Sequence, residues 1–254
     1  MDNPSGPNHE QVGAFGRYEI KLDREWLLTE LAEFPDLYVQ VYAFFAQVES
    51  QSNEIDSAQS DRGGIVSAAS EVFEVVDDVR ISHGRRINYP WAGGWSSTNF
   101  YRRLVGSLYG EAVPRVTEIR YSSPGFIALG LWLSAAAAVR RCINKTAETV
   151  SIVHKTYHEI YRGMHDRKLL AIDVRRKRLE LTKDELTFVI EARKSLGEVI
   201  GLSPEQLSSA TILGPGTTVV AQVENELGAV KVLLSLLRRV MRLSEFQEEG
   251  KAKF

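Results

Sequence analysis

The chain has 254 residues and a single cysteine, Cys142. One thiol closes no intrachain disulfide and builds no multi-cysteine metal site, so a reducing, cytoplasmic setting is the economical expectation. A surplus of charge is also missing. The formal net charge is −2, from 31 basic and 33 acidic residues. No global field therefore draws the chain to nucleic acid or to a membrane, and only local patches remain to do so. The opening residues Met1-Asp2-Asn3-Pro4-Ser5-Gly6-Pro7 hold no apolar run of the secretory kind, and residues 1–16 are expected to be a disordered arm.

Complete catalytic signatures are lacking too. Gly214-Pro215-Gly216-Thr217-Thr218 stands before a helix start, where free N–H groups attract anions, but no P-loop lysine follows. Ser122-Ser123-Pro124-Gly125 departs from the Gly-x-Ser-x-Gly pattern, and helix capping explains its serines. His154 and His158 have the i,i+4 spacing of metal-binding helices without the adjacent glutamate that a metalloprotease uses. His165 is about two turns further on, too far to join one ion from a straight helix. The three histidines read as the polar edge of a helix seam. No catalytic residue, metal or cofactor is assigned.

What is present describes a folded, mostly helical protein. Hydrophobic residues make up 44% and charged residues 25%, near the globular average. The predicted fold is mainly α with a minimal β-sheet (α+β). A mixed region spans 17–122, and a long-helix bundle or hairpin spans 123–254. Polar and apolar residues alternate over Arg17–Leu22 and again over Val116–Tyr121, which predicts two strands that pair with each other. Asp23 is expected to cap a helix that Pro35 ends. Leu37, Val41, Phe44, Phe45 and Val48 then mark a second helix, followed by a polar loop from Ser50 to Gly64.

From Pro124 the pattern becomes helical, and no proline recurs until Pro204. Val139, Ile143, Val150, Val153, Tyr157, Ile160 and Met164 step by about three and four, the spacing of a coiled-coil seam. A helix unbroken from 124 to 181 would be about 85 Å long at 1.5 Å per residue. That length predicts a kink near Gly163 or a projecting arm. Thr182-Lys183-Asp184-Glu185 has capping-box spacing, and Gly201 fits a left-handed helix end. The clearest periodic element is the last one. Val220, Val223, Leu227, Val230, Leu234, Leu237 and Met241 keep the same spacing, and Leu233, Leu236 and Val240 widen that face. It predicts a buried core helix and a surface for self-association.

Three stretches are candidates for function. Tyr121–Val139 carries no charge and is followed by Arg140-Arg141, a pattern that also suits a membrane helix, though a buried core helix fits its short apolar part better. Trp91 and Trp95 flank Gly93-Gly94, with Arg85 and Arg86 before them and Arg102 and Arg103 after. Such a loop stacks a flat ligand while the arginines clamp its phosphates, or else it simply covers the core. Arg167, Lys168, Arg175, Arg176, Lys177 and Arg178 form a basic face. It reads first as a solvated helix face with i,i+4 pairs such as Asp173–Lys177 and Arg176–Glu180, next as a surface for an acidic protein partner, and least as a nucleic-acid site, because no aromatic platform lies between Tyr161 and Phe188. The leading expectation is a non-enzymatic helical interaction or oligomerisation protein, acting as an accessory or regulatory subunit. The alternatives are a ligand- or nucleotide-binding protein using the Trp/Gly loop, and a membrane-associated protein using residues 121–139.

Overall fold

The computed structural model describes residues 14–60, 97–108, 112–120, 122, 124–171, 181–203, 207 and 219–254. In chain order these give β1 (Phe15–Leu22), α1 (Leu28–Ser60), α2 (Ser97–Ser107), β2 (Arg115–Arg120), β3 (Gly125–Trp132), α3 (Leu133–Glu148), α4 (Val150–Asp166), a 3₁₀ turn (Leu169–Ala171), α5 (Lys183–Ile200), α6 (Val219–Glu248) and β4 (Ala252–Lys253). The fold is mainly helical with one small antiparallel sheet, as the sequence predicts.

The sheet order is β2-β3-β1-β4. On β1, Gly16, Tyr18, Ile20 and Leu22 turn inward, while Phe15, Arg17, Glu19 and Lys21 stay exposed. Tyr18 and Ile20 stand opposite Leu129 and Ile127 of β3. Across the outer face Arg17 reaches Glu19 at 2.8 Å and Glu118 of β2 at 2.7 Å, so it ties both flanking strands together over β3. The β2–β3 hairpin needs glycine at 125. A Cβ there would lie 2.5 Å from the Arg120 carbonyl oxygen and 2.6 Å from that of Ser122.

The centre of the molecule is α6. From Glu226 to Met241 every residue is buried except Gly228 and Arg238. It packs against α1, α2, α3, α4 and α5. From Leu227 to Met241 its two apolar rows are therefore consumed inside the chain. A helix apolar on most sides is stable only as such an internal strut. At its C-terminal end Phe246 stacks on Trp26 at 5.3 Å and meets Phe34 edge-on at 5.6 Å. Phe254 then closes over Phe34 and Tyr38. This aromatic cluster fastens the chain's end to the start of α1, beyond what buried area alone supplies.

Several local expectations are met. Thr182 Oγ1 accepts from the Glu185 N–H, and the Thr182 N–H donates to the Glu185 carboxylate at 2.8 Å, which completes the capping box. Gly201 takes φ 85° while the Leu202 N–H bonds the Gly197 carbonyl at 2.9 Å, a Schellman end.

Others are corrected. The two predicted strands do not pair with each other, because β3 lies between them. Residues 125–132, expected to be helix, form that central strand. Pro124 precedes a strand, and the Ser122 hydroxyl donates to the Pro124 carbonyl instead of capping a helix. The uncharged stretch 121–139 is thus divided between β3 and the first turns of α3. Among the described residues no helix is long and apolar enough to cross a membrane.

Pro35 lies inside α1 and does not end a helix. An internal proline costs roughly 3 kcal/mol, but this helix buries Phe34, Tyr38, Val41 and Tyr42 almost completely, and such side chains return about 1.5–3 kcal/mol each. Residues 50–60 continue α1, with no glycine or proline to stop it before Gly63. The long helix after residue 133 breaks at Thr149, not near Gly163. It ends at Asp166, where Lys168 takes the left-handed φ of 56°.

Candidate functional site: an arginine-lined cleft

The open side of α6 faces a cleft of about 540 Å³ between α1, α2 and α6. Helical spacing explains its walls. Glu33, Asp36 and Gln40 recur at three and four along α1 and share a face. Arg238, Arg242 and Glu245 do the same on α6, with Arg239 beside Arg238 on its buried side. Arg102 of α2 joins them. Four arginines thus meet three carboxylates, one positive charge in excess.

Two of the arginines are built into the wall. Arg239 is buried, and its Nε donates to Gln40 Oε1 at 2.6 Å. Its Nη1 donates to the Ser235 carbonyl at 2.9 Å and to the Ser235 hydroxyl. The guanidinium lies 4.0 Å from the ring centre of Tyr101, whose hydroxyl donates to the Val232 carbonyl at 3.1 Å. Gln40 Nε2 in turn donates to Asp36 at 2.7 Å. The amide thereby relays the Asp36 carboxylate to the buried cation. Burial draws the Arg239 pKa below its ordinary value and pushes the Tyr101 phenol well up. Both are consequences of desolvation.

Arg242 is held differently. It pairs with Glu33 at 3.0 Å and Glu245 at 2.7 Å, and lies 4.5 Å over Phe246. Its hydrogen bonds to Glu33 and then to Glu245 raise its pKa above the ordinary value.

Arg102 and Arg238 are exposed at the cleft, and neither makes an ion pair among the described residues. Arg238 lies near Tyr157 of α4, where its charge opposes the upward shift that burial gives that phenol. A planar guanidinium with unused donors is matched to carboxylate or phosphate oxygens. Among the described residues the cleft lining contains no histidine, cysteine, serine or lysine. The arrangement is equipped to bind anionic groups.

Of the arginines predicted around the Trp/Gly loop, Arg102 lines this cleft, and Arg103 follows it on α2. Arg85, Arg86, Trp91 and Trp95 lie outside the described residues, as do Arg175, Arg176, Lys177 and Arg178. Arg167 closes α4, donates to the Gly163 carbonyl at 3.2 Å and lies 4.2 Å over Phe188. Lys168 is exposed beside it. His154 and His158 share a face of α4 with ring centres 6.3 Å apart, and His165 instead approaches Asp166 at 3.6 Å. No group of three or more metal-ligating side chains gathers among the described residues.

The sequence pattern does not single out Arg238 and Arg239 and suggests an exposed, freely replaceable Arg242, whereas Arg242 is half-buried and paired with Glu33 and Glu245. Their signal lies in Ser235, Arg239 and Arg242, which interrupt the broad apolar face of α6 at helical spacing. No protein-family model matches this chain, and no match to it is found among curated proteins or solved structures.

Proposed function

We propose that the chain is a non-enzymatic accessory or regulatory protein that docks an acidic segment of a protein partner in the cleft between α1, α2 and α6. The carrying observation is the pair of exposed guanidiniums, Arg102 and Arg238, without an ion pair among the described residues, beside a wall whose other arginines are already fixed. Preorganised Arg239 and Arg242 need no reordering when a partner arrives, which lowers the entropic cost of binding. The mixture of signs favours a polypeptide carrying acidic groups among neutral ones over a highly charged polyanion, which Glu33, Asp36 and Glu245 would repel. Since the apolar rows of α6 are internal, this reading places contact with partners on charged surface and not on a free seam.

Calorimetric titration of the full chain with a glutamate-rich dodecapeptide tests the reading. Binding should weaken with added salt. The Arg102→Ala/Arg238→Ala double variant should lose roughly tenfold or more in affinity, a change of about 1.4 kcal/mol per factor of ten, with its melting temperature unchanged. Unaltered affinity in the double variant would remove the cleft from the account. Tight binding of inorganic phosphate or a nucleotide at these arginines, with none of the peptide, would instead favour the ligand-binding alternative.

A further inference from the structure

We infer that the outer edge of β2 is a second docking element, which accepts an extended, acid-ended segment of a partner protein as a fifth strand. β2 is outermost in the sheet, and all six of its residues are exposed. Among the described residues its outer backbone edge has no strand partner. On the opposite side β4 pairs only with Lys21 and Leu22, so residues 15–20 of β1 also lack a strand partner there among the described residues, but the one arginine on that stretch, Arg17, is already paired with Glu19 and Glu118.

The apolar surface gathers here as well. Val116 and Ile119 pair with Leu129 and Ile127, residues of the sheet's inward face, yet they remain 58% and 42% exposed. Val113, just upstream, is 36% exposed. Among the described residues, three of the eleven large exposed hydrophobics thus fall within seven consecutive residues, as three others, Leu27, Leu28 and Leu31, do around the start of α1. Singly scattered apolar residues need no explanation, but a cluster on a free strand edge is the surface that strand addition covers.

Charge decides the occupant. Arg115 and Arg120 stand at the two ends of β2, and neither makes an ion pair among the described residues. Glu118 between them is already neutralised by Arg17 at 2.7 Å. A second copy of β2, pairing antiparallel about the middle of the strand, would set Arg115 against Arg120 at both ends, and like charges directly opposite repel. A segment with carboxylates at both ends and small or apolar residues between them meets both arginines. The register shift between Val116 and Glu118 belongs to the same design. A bulge and flanking charges guard an edge against indiscriminate pairing while leaving it open to a complementary strand. This site stands on β2 alone and does not depend on the cleft.

The test is an amide NMR titration of the full chain with a synthetic hexapeptide of alternating valine and threonine carrying glutamate at both ends, against the same peptide with lysine at both ends. The glutamate peptide should shift the amides of residues 115–120 saturably, and the lysine peptide should bind about tenfold more weakly or not at all. The Arg115→Glu/Arg120→Glu variant should reverse that preference. The β2 response should survive in the Arg102→Ala/Arg238→Ala background. Absence of shifts in β2, equal response to both peptides, or loss of the β2 response with the cleft variant would overturn the inference. A concentration-dependent dimer in sedimentation, with β2 amides shifted before any peptide is added, would overturn it in favour of a second copy.

Discussion

The helix α6 and the strand β2 are opposites. Leu227, Val230, Leu233, Leu236, Leu237 and Val240 on α6 are at most 1% exposed, whereas no residue of β2 is buried. Both are regular elements with apolar residues. The difference is topological: among the described residues α6 packs against five helices, and β2 has one strand neighbour. Apolar periodicity therefore signals burial only where other elements arrive to cover it. In this chain the strongest periodic signal marks the core, and the weak strand marks an open surface.

Substitutions should reproduce that contrast. Leu237→Ala removes a fully buried side chain from the middle of α6 and should cost about 2–5 kcal/mol, measured by urea denaturation. Arg239→Ala strands Gln40 and Ser235, which lose their buried partner. It should cost roughly 1–3 kcal/mol. A double-mutant cycle with Gln40→Ala should show strong coupling, because the two groups form one network.

The capped end of α5 lies between the extremes. Thr182→Ala should cost about 1 kcal/mol. The Glu185 carboxyl lies below its ordinary 4.5, through its bond from the Thr182 N–H and then from the Thr182 hydroxyl. A carboxylate so lowered contributes stability fully above pH 4.5, and loses it as pH falls through the folded value. The stability gap between the wild type and Glu185→Gln should therefore be full at neutral pH and shrink in acid. The smallest effect belongs to β2. Ile119→Thr should change stability by no more than about 0.5 kcal/mol, since the side chain is already 42% exposed.

The same contrast explains what could be read from the sequence. Features set by local chemistry were legible. The Thr182–Glu185 box, the Gly201 end and the alternation of β1 all depend on neighbours a few residues away. β3 was not legible. As the central strand it is covered on both faces, with Ala128 fully buried on the outer side and Phe15 over Gly130. It therefore shows a continuous apolar run without alternation. Pro124 and the serines before it then mimic a helix start. Pro35 was missed because distant packing, not local propensity, decides it, and the break at Thr149 was missed although its hydroxyl donates locally to the Lys145 carbonyl, a bond that bends helices. Within the cleft, Arg102 was singled out for its neighbours in sequence, while its cleft partners lie on α1 and α6. Bonds such as Gln40 to Arg239 join residues 199 positions apart, and nothing in the sequence pairs them.

Native-state hydrogen exchange of the free protein compares the two elements directly. Amides between residues 226 and 246 should exchange only through global unfolding, with protection equal to the stability found in urea. The amides on the free edge of β2 should exchange orders of magnitude faster. Protection of β2 equal to that of α6, or rapid exchange in the middle of α6, would contradict a chain that spends its apolar rows internally and keeps its edge open for partners.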